Sequence, residues 1–136
     1  MSRENVDLVR RMFELYSAGD VDEWVTCWDE DGEWVTSALQ PLEGDTRTYR
    51  GQEGLRRFQE DVLEALADMT VRGDEFREAG DRVLVLGEVG GRGATSGATF
   101  EQPMAWLFEV RGGKLVRGRD YLDQAHALEE AERPLK

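Results

Sequence analysis

The stretch RGRDYLDQAHALEEAERPL, residues 117–135, sets two carboxylates, Asp120 and Asp123, on either side of a tyrosine where a strand pattern gives way to a helix pattern. A carboxylate held among apolar groups is an acid–base device. Desolvation penalises its charged form, raises its pKa and brings proton transfer towards neutral pH. Side chains alternate along a strand. Leu122, Asp120, Gly118 and Val116 therefore share one face, and Leu115, Arg117, Arg119 and Tyr121 share the other. In the strand before it, Phe100, Gln102, Met104, Trp106 and Phe108 share a strongly apolar face. An Asp120 that joins this face is a candidate general acid/base. An Asp120 at the rim, paired with an arginine, would only support structure. Asp123 directly precedes the helix pattern and reads as its N-cap, worth about 1 kcal/mol.

Other residues could complete a site. Tyr16, Thr36 and Gln102 carry groups that can orient a water or a carbonyl. Trp34, Met104, Trp106, Phe108 and Leu122 can shape a cavity for a flat or cyclic apolar molecule. Trp24 and Trp28 are expected mainly in packing. His126, the sole histidine, is expected to be exposed on the last helix. Without a second histidine or a cysteine cluster a zinc site has no support, and DEDGE lacks EF-hand spacing. GEVGGRGATSG lacks the Gly-Lys-Ser/Thr end of a phosphate cradle, no G-x-G-x-x-G opens a helix, and no G-x-S-x-G is present. No cofactor and no metal are expected.

Composition narrows the partners. The 136 residues suit one domain over 1–136, with 40% hydrophobic and 34% charged residues. A net charge of -12 repels nucleic acid and anionic membranes. No apolar run approaches the ~20 residues of a membrane helix, and the charged N-terminus has no signal-like apolar core. The lone Cys27 excludes an internal disulfide and fits the cytoplasm. It reads as a small helical core residue.

Periodicity places the elements. Val6, Val9, Phe13 and Tyr16 mark one face of a helix over about Arg3 to Ser17, stopped by Ala18-Gly19. Asp20 caps a second, short helix whose stripe is Val21, Trp24, Val25 and Trp28. DEDGEWVTS turns into a strand at about Glu33, and a long loop with Pro41 and Gly44 follows. A third helix opens near Gly51, with Leu55, Phe58, Val62, Leu66 and Met69 as its stripe. Strands are then predicted over 70–78, 82–92, 98–110 and 115–122, joined by short turns. This order predicts an α+β fold: a curved, mainly antiparallel sheet forming a cone-shaped barrel, with three helices from the N-terminal half packed on one face and a short C-terminal helix. The glycines of GEVGGRG fit such curvature. A homodimer is expected, because Leu115 and Tyr121 would otherwise be exposed on the second sheet face.

YSAGDVDEWVTCWDEDGEWV, YRGQEGLRRF and GGKLVRGRDYLDQAHALEEA together resemble the SnoaL-like group of the nuclear transport factor two-like superfamily, over nearly the whole chain. That superfamily has the ketosteroid isomerase-like fold and includes isomerases, polyketide cyclases, a dehydratase and an epoxide hydrolase. The tail GKLVRGRDYLDQAHALEEAERPL is similar to that of limonene-epoxide hydrolase. The likeness makes Asp120 a catalytic base that draws a proton from water, and it places water-holding residues at Trp34 and Thr36. It also calls for an arginine and an aspartate two residues apart on the third strand. LGEVGGR contains no such pair, and neither Glu88 nor Arg92 has the spacing. A likeness to ketosteroid isomerase puts the oxyanion tyrosine near Met12 and the base near Thr36, with Tyr16 one turn along.

The function implied is a cofactor-free isomerase, cyclase or hydratase acting on a small hydrophobic or polycyclic molecule through Asp120. The alternative is a non-catalytic ligand-binding or association domain of the same fold.

Overall fold

The computed structural model describes residues 2–37 and 46–133. Helix α1 spans Ser2–Ser17 and buries Val9, Met12 and Phe13. Gly19 ends it at φ 77°, a conformation open to glycine without steric cost. Helix α2, Val21–Thr26, is capped by Asp20, whose carboxylate accepts from Glu23 N at 3.1 Å. Strand β1 covers Trp28–Thr36, β2 Arg47–Arg50, and helix α3 Gly51–Ala65. Four long strands follow: β3 Leu66–Ala79, β4 Arg82–Gly93, β5 Thr99–Arg111 and β6 Lys114–Tyr121. Helix α4, Gln124–Glu132, closes the order, with Asp123 as its cap through Ala125 N at 2.9 Å.

The six strands form one sheet in the order β2-β1-β6-β5-β4-β3. Only β1 and β6 run parallel; every other pair is antiparallel. The sheet curves without closing, and α1, α2 and α3 fill its concave side, so the architecture is the expected α+β cone. Three details differ from the sequence reading. The strand predicted from Glu33 begins at Trp28, because DEDG lies within β1 as an irregularity between Trp28 and Glu33. Strand β2 was not foreseen; the predicted loop with Pro41 and Gly44 lies outside the described residues. Leu66 and Met69 continue the helical period of α3, yet they belong to β3. Helix α4 packs on the convex side, apart from the other three helices.

Bulges produce the curvature and correct the alternation. On β3 a register shift between Ala67 and Thr70 leaves Asp68 at φ 54°. That extra residue turns Met69 and Val71 inwards in place of Asp68 and Thr70. A second shift between Gly73 and Glu75 brings Phe76 onto Phe13, edge to face at 5.6 Å. On β6 the pairing jumps from Val110↔Leu115 to Glu109↔Arg117. Leu115 therefore enters the main core, against strict alternation.

The convex face is covered from within the chain. Leu84, Ala105, Leu107 and Tyr121 form a second cluster with Ala127 of α4. Leu115 and Tyr121 are both buried within the chain, so neither is exposed on the second sheet face as the homodimer expectation had supposed. Arg82 fastens α4 to the sheet, donating to the carbonyls of Glu130 at 3.1 Å, Ala131 at 3.2 Å and Arg133. A guanidinium there also meets the negative end of the helix dipole. Arg82→Ala is expected to accelerate amide hydrogen exchange across residues 124–132 and to lower stability by about 1–3 kcal/mol.

At the closed end of the cone, Gly118 pairs with Phe108 on one side and Trp34 on the other. A Cβ there would stand 2.8 Å from the Phe108 ring and 2.9 Å from that of Trp28. Trp28 is 1% exposed and its ring has little room to move. Gly118→Ala is therefore expected to destabilise by about 1–3 kcal/mol through overpacking, read by chemical denaturation.

Candidate functional site

The inner face of β5 and the three concave-side helices enclose a cavity of about 280 Å³. Phe108, Trp28 and Trp34 lie towards the closed end. Phe100, Gln102, Met69 and Leu122 stand towards the mouth, where Leu122 is 44% exposed. The rings lock one another: Trp34 stacks on Phe108 at 6.1 Å, while Phe13 meets Trp106 edge-on at 5.0 Å.

Asp120 lies in the cavity wall, directly across from Trp106 in the β5–β6 register, and is 2% exposed. Its Oδ2 accepts the Thr36 hydroxyl at 2.5 Å, and its Oδ1 accepts the Ser37 N–H at 2.8 Å. Thr36 is itself fully buried, at the end of β1. The parallel β1–β6 pairing sets this meeting: Val35 lies beside Arg119, so the next residues along, Thr36 and Asp120, come together. Burial pushes the Asp120 carboxyl above the ordinary aspartate range. The Ser37 and Thr36 hydrogen bonds and the nearby Arg119 charge oppose that shift without cancelling it.

The other named residues divide. Met104, Trp106, Phe108 and Trp34 line the cavity, as do Leu122 and Tyr16. Tyr16 packs on Trp24 with ring centroids 5.0 Å apart, and burial holds its phenol well above its ordinary pKa. Gln102 also lines the cavity, with its amide donating to the Pro103 carbonyl at 2.9 Å and the Leu122 carbonyl at 3.3 Å. Thr36 is not in the wall; it reaches the site through Asp120. Trp24 and Trp28, expected in packing, both pack and line the cavity. Met12 lies in the wall as well.

Sequence reasoning missed the Ser37 N–H, since a backbone donor carries no side-chain signal. It also missed Leu66 and Met69 as strand residues of the wall, although their apolar spacing had marked them as buried. Glu88 and Arg92 are outside the cavity: Glu88 lies 3.9 Å from Arg72, and Arg92 pairs with Asp68 at 2.8 Å. His126 is exposed and stands 3.4 Å from Glu130. Cys27 is buried, as read, but caps the end of α2 rather than lying within it. Among the described residues no group of three or more histidine, cysteine, aspartate or glutamate side chains could hold a metal ion. Among them, too, no helix is long and apolar enough to cross a membrane.

A curved sheet wrapped over three helices, with its cavity inside the cone, defines the class. An NTF2-like protein of unknown function from Burkholderia pseudomallei superposes with a TM-score of 0.80 at 24% identity, covering 95% of this chain and 97% of that one. An NTF2-like protein from Burkholderia xenovorans is 30% identical, with 98% of both chains covered and a TM-score of 0.76. TerC, co-crystallised with polyporic acid, is 26% identical over 96% of this chain and 99% of its own, with a TM-score of 0.76. No curated protein matches the chain. The family model for the SnoaL-like domain matches residues 9–118, and the chain belongs to that family.

The raised Asp120 pKa has a consequence for stability. The folded protein holds this proton to higher pH than the unfolded chain does, so folding is favoured at low pH. Stability is lost as pH rises from about 3.9, the unfolded value, through the folded pKa. Asparagine has no such penalty, and the Thr36 hydroxyl can rotate to accept from its amide. The unfolding free energy of Asp120→Asn minus that of the parent protein is expected to increase between pH 4 and pH 8, measured by denaturant titration at each pH. A difference that stays flat would place Asp120 in a water-like environment.

Proposed function

We propose that this SnoaL-like domain, spanning 1–136, is a cofactor-free acid–base enzyme acting on a small hydrophobic or polycyclic molecule held in the cone. The observation that carries the reading is a buried carboxyl group, Asp120, in the wall of an otherwise apolar and aromatic cavity. Such a group serves as a base when ionised and as an acid once it has taken the proton. The chemistry it suits is a redox-neutral proton transfer: isomerisation, cyclisation, dehydration or hydration. Thr36 and Ser37 aim the carboxyl and favour its ionised form against the cost of burial; Tyr16 and Gln102 are available to orient a carbonyl or water. Trp34, Met104, Trp106, Phe108 and Leu122 shape the substrate space. TerC, of the same fold and co-crystallised with polyporic acid, supports the expectation of a cyclic ligand.

A second reading is a ligand-binding domain without catalysis. It is favoured by one fact: each Asp120 oxygen already accepts a hydrogen bond from within the chain. Screening enones, epoxides and polyketide-like aromatics separates the two. On a turned-over substrate, Asp120→Asn is expected to reduce kcat by at least ~10²-fold with little change in KM. Full activity in that variant removes Asp120 from the chemistry, and a molecule that binds without turnover establishes the second reading.

A further inference from the structure

The cavity restricts the charge of its occupant. Trp24, Trp28, Trp34, Trp106, Phe13 and Phe108 form much of its wall. Aromatic faces present negative potential. Asp120 is the only carboxyl among the described lining residues, and no lysine, arginine or histidine is among them. The two groups donating to Asp120, the Thr36 hydroxyl and the Ser37 N–H, are both neutral. Arg119, its neighbour in sequence, projects to the opposite face of the sheet, where its guanidinium sits 4.8 Å from the Tyr121 ring centre.

A buried carboxylate thus stands in an aromatic chamber with no cationic partner inside it. An anionic ligand would meet the carboxylate and the ring faces with no positive charge among the described lining residues to offset them; the unpartnered indole N–H groups of Trp24, Trp28 and Trp34 are neutral donors only. A cation would meet both favourably. The cost is its own desolvation, which is large for a small ammonium and much smaller for one whose charge is sheathed in hydrocarbon.

We propose that the cavity takes a hydrophobic amine, a protonated tertiary or quaternary ammonium on a cyclic hydrocarbon body, with its nitrogen beside Asp120 and its body against the tryptophans. This rests on the cavity being the ligand site, and it does not require Asp120 to transfer a proton.

The test is a tryptophan-fluorescence titration of the intact protein at pH 8. The probes are phenyltrimethylammonium, its uncharged carbon isostere tert-butylbenzene, and the anion phenylacetate. The cation is expected to bind about tenfold or more tightly than tert-butylbenzene, and phenylacetate more weakly than either. In Asp120→Asn that margin is expected to vanish while tert-butylbenzene still binds, which also shows the variant to be folded. Equal or tighter binding of tert-butylbenzene or phenylacetate in the parent protein overturns the inference and leaves the cavity standing as a ligand site. A cation preference that survives in Asp120→Asn overturns the role of the carboxylate and with it the inference. Binding of none of the three overturns both the inference and the reading of the cavity on which it rests.

Discussion

Everything in this protein is arranged around the packing of a few large rings at the closed end of a curved sheet. Trp28, Trp34 and Phe108 converge where Gly118 leaves room for them. Rings of this size hold the sheet away from the helices, and the space they do not fill becomes the cavity. The same curvature needs residues without side chains elsewhere. At Gly87 a Cβ would overlap the Arg72 carbonyl oxygen, and at Gly73 it would stand 2.6 Å from Phe76. The bulges of β3 sit beside such positions, so the strand bends where backbone can approach backbone.

Within that frame Asp120 has a balanced electrostatic position. Burial opposes its charge, while two directed hydrogen bonds and the nearby Arg119 charge favour it. A bare carboxylate in such a cavity would stay protonated, and a fully paired one would be inert. The donors on Thr36 and Ser37 come from a strand parallel to its own, so their placement depends on the β1–β6 pairing and not on local flexibility.

The convex face shows how the strong negative charge of the chain is managed. One row across five strands reads Arg82, Glu109, Arg117, Glu33, Arg50, alternating in sign. Opposite charges on adjacent strands contribute roughly 0.2–1 kcal/mol each, and they remove the long apolar face that would draw another sheet. In the next rows Leu84, Leu107, Ala105 and Tyr121 pack against Ala127 of α4, with Arg119 beside Leu107, and Arg82 holds the helix there. The two faces are thus closed by different means: rings and helices inside, a charge ladder and one short helix outside.

Much of this was legible in the residue order. The four helices, the long C-terminal strands, the Asp20 and Asp123 caps, and the apolar face of Phe100 to Phe108 follow from periods of 3.6 and 2 and from capping chemistry, which are local. They suffice for an α+β cone and make Asp120 a candidate for its inner face, with a place at the rim left open. What the order alone left undecided is non-local. Bulges at Asp68 and Val116 reset the alternation, so Met69 and Leu115 point inwards. A helical period in Leu66 and Met69 gave way to strand pairing with β4, since sheet hydrogen bonds outweigh a weak local preference. The Ser37 donor and the parallel partner strand of Asp120 exist only once β1 lies beside β6. Local chemistry determined the elements and the candidate acid; tertiary pairing decided its partners, because two strands some 80 residues apart must meet before a carboxylate and its donors can.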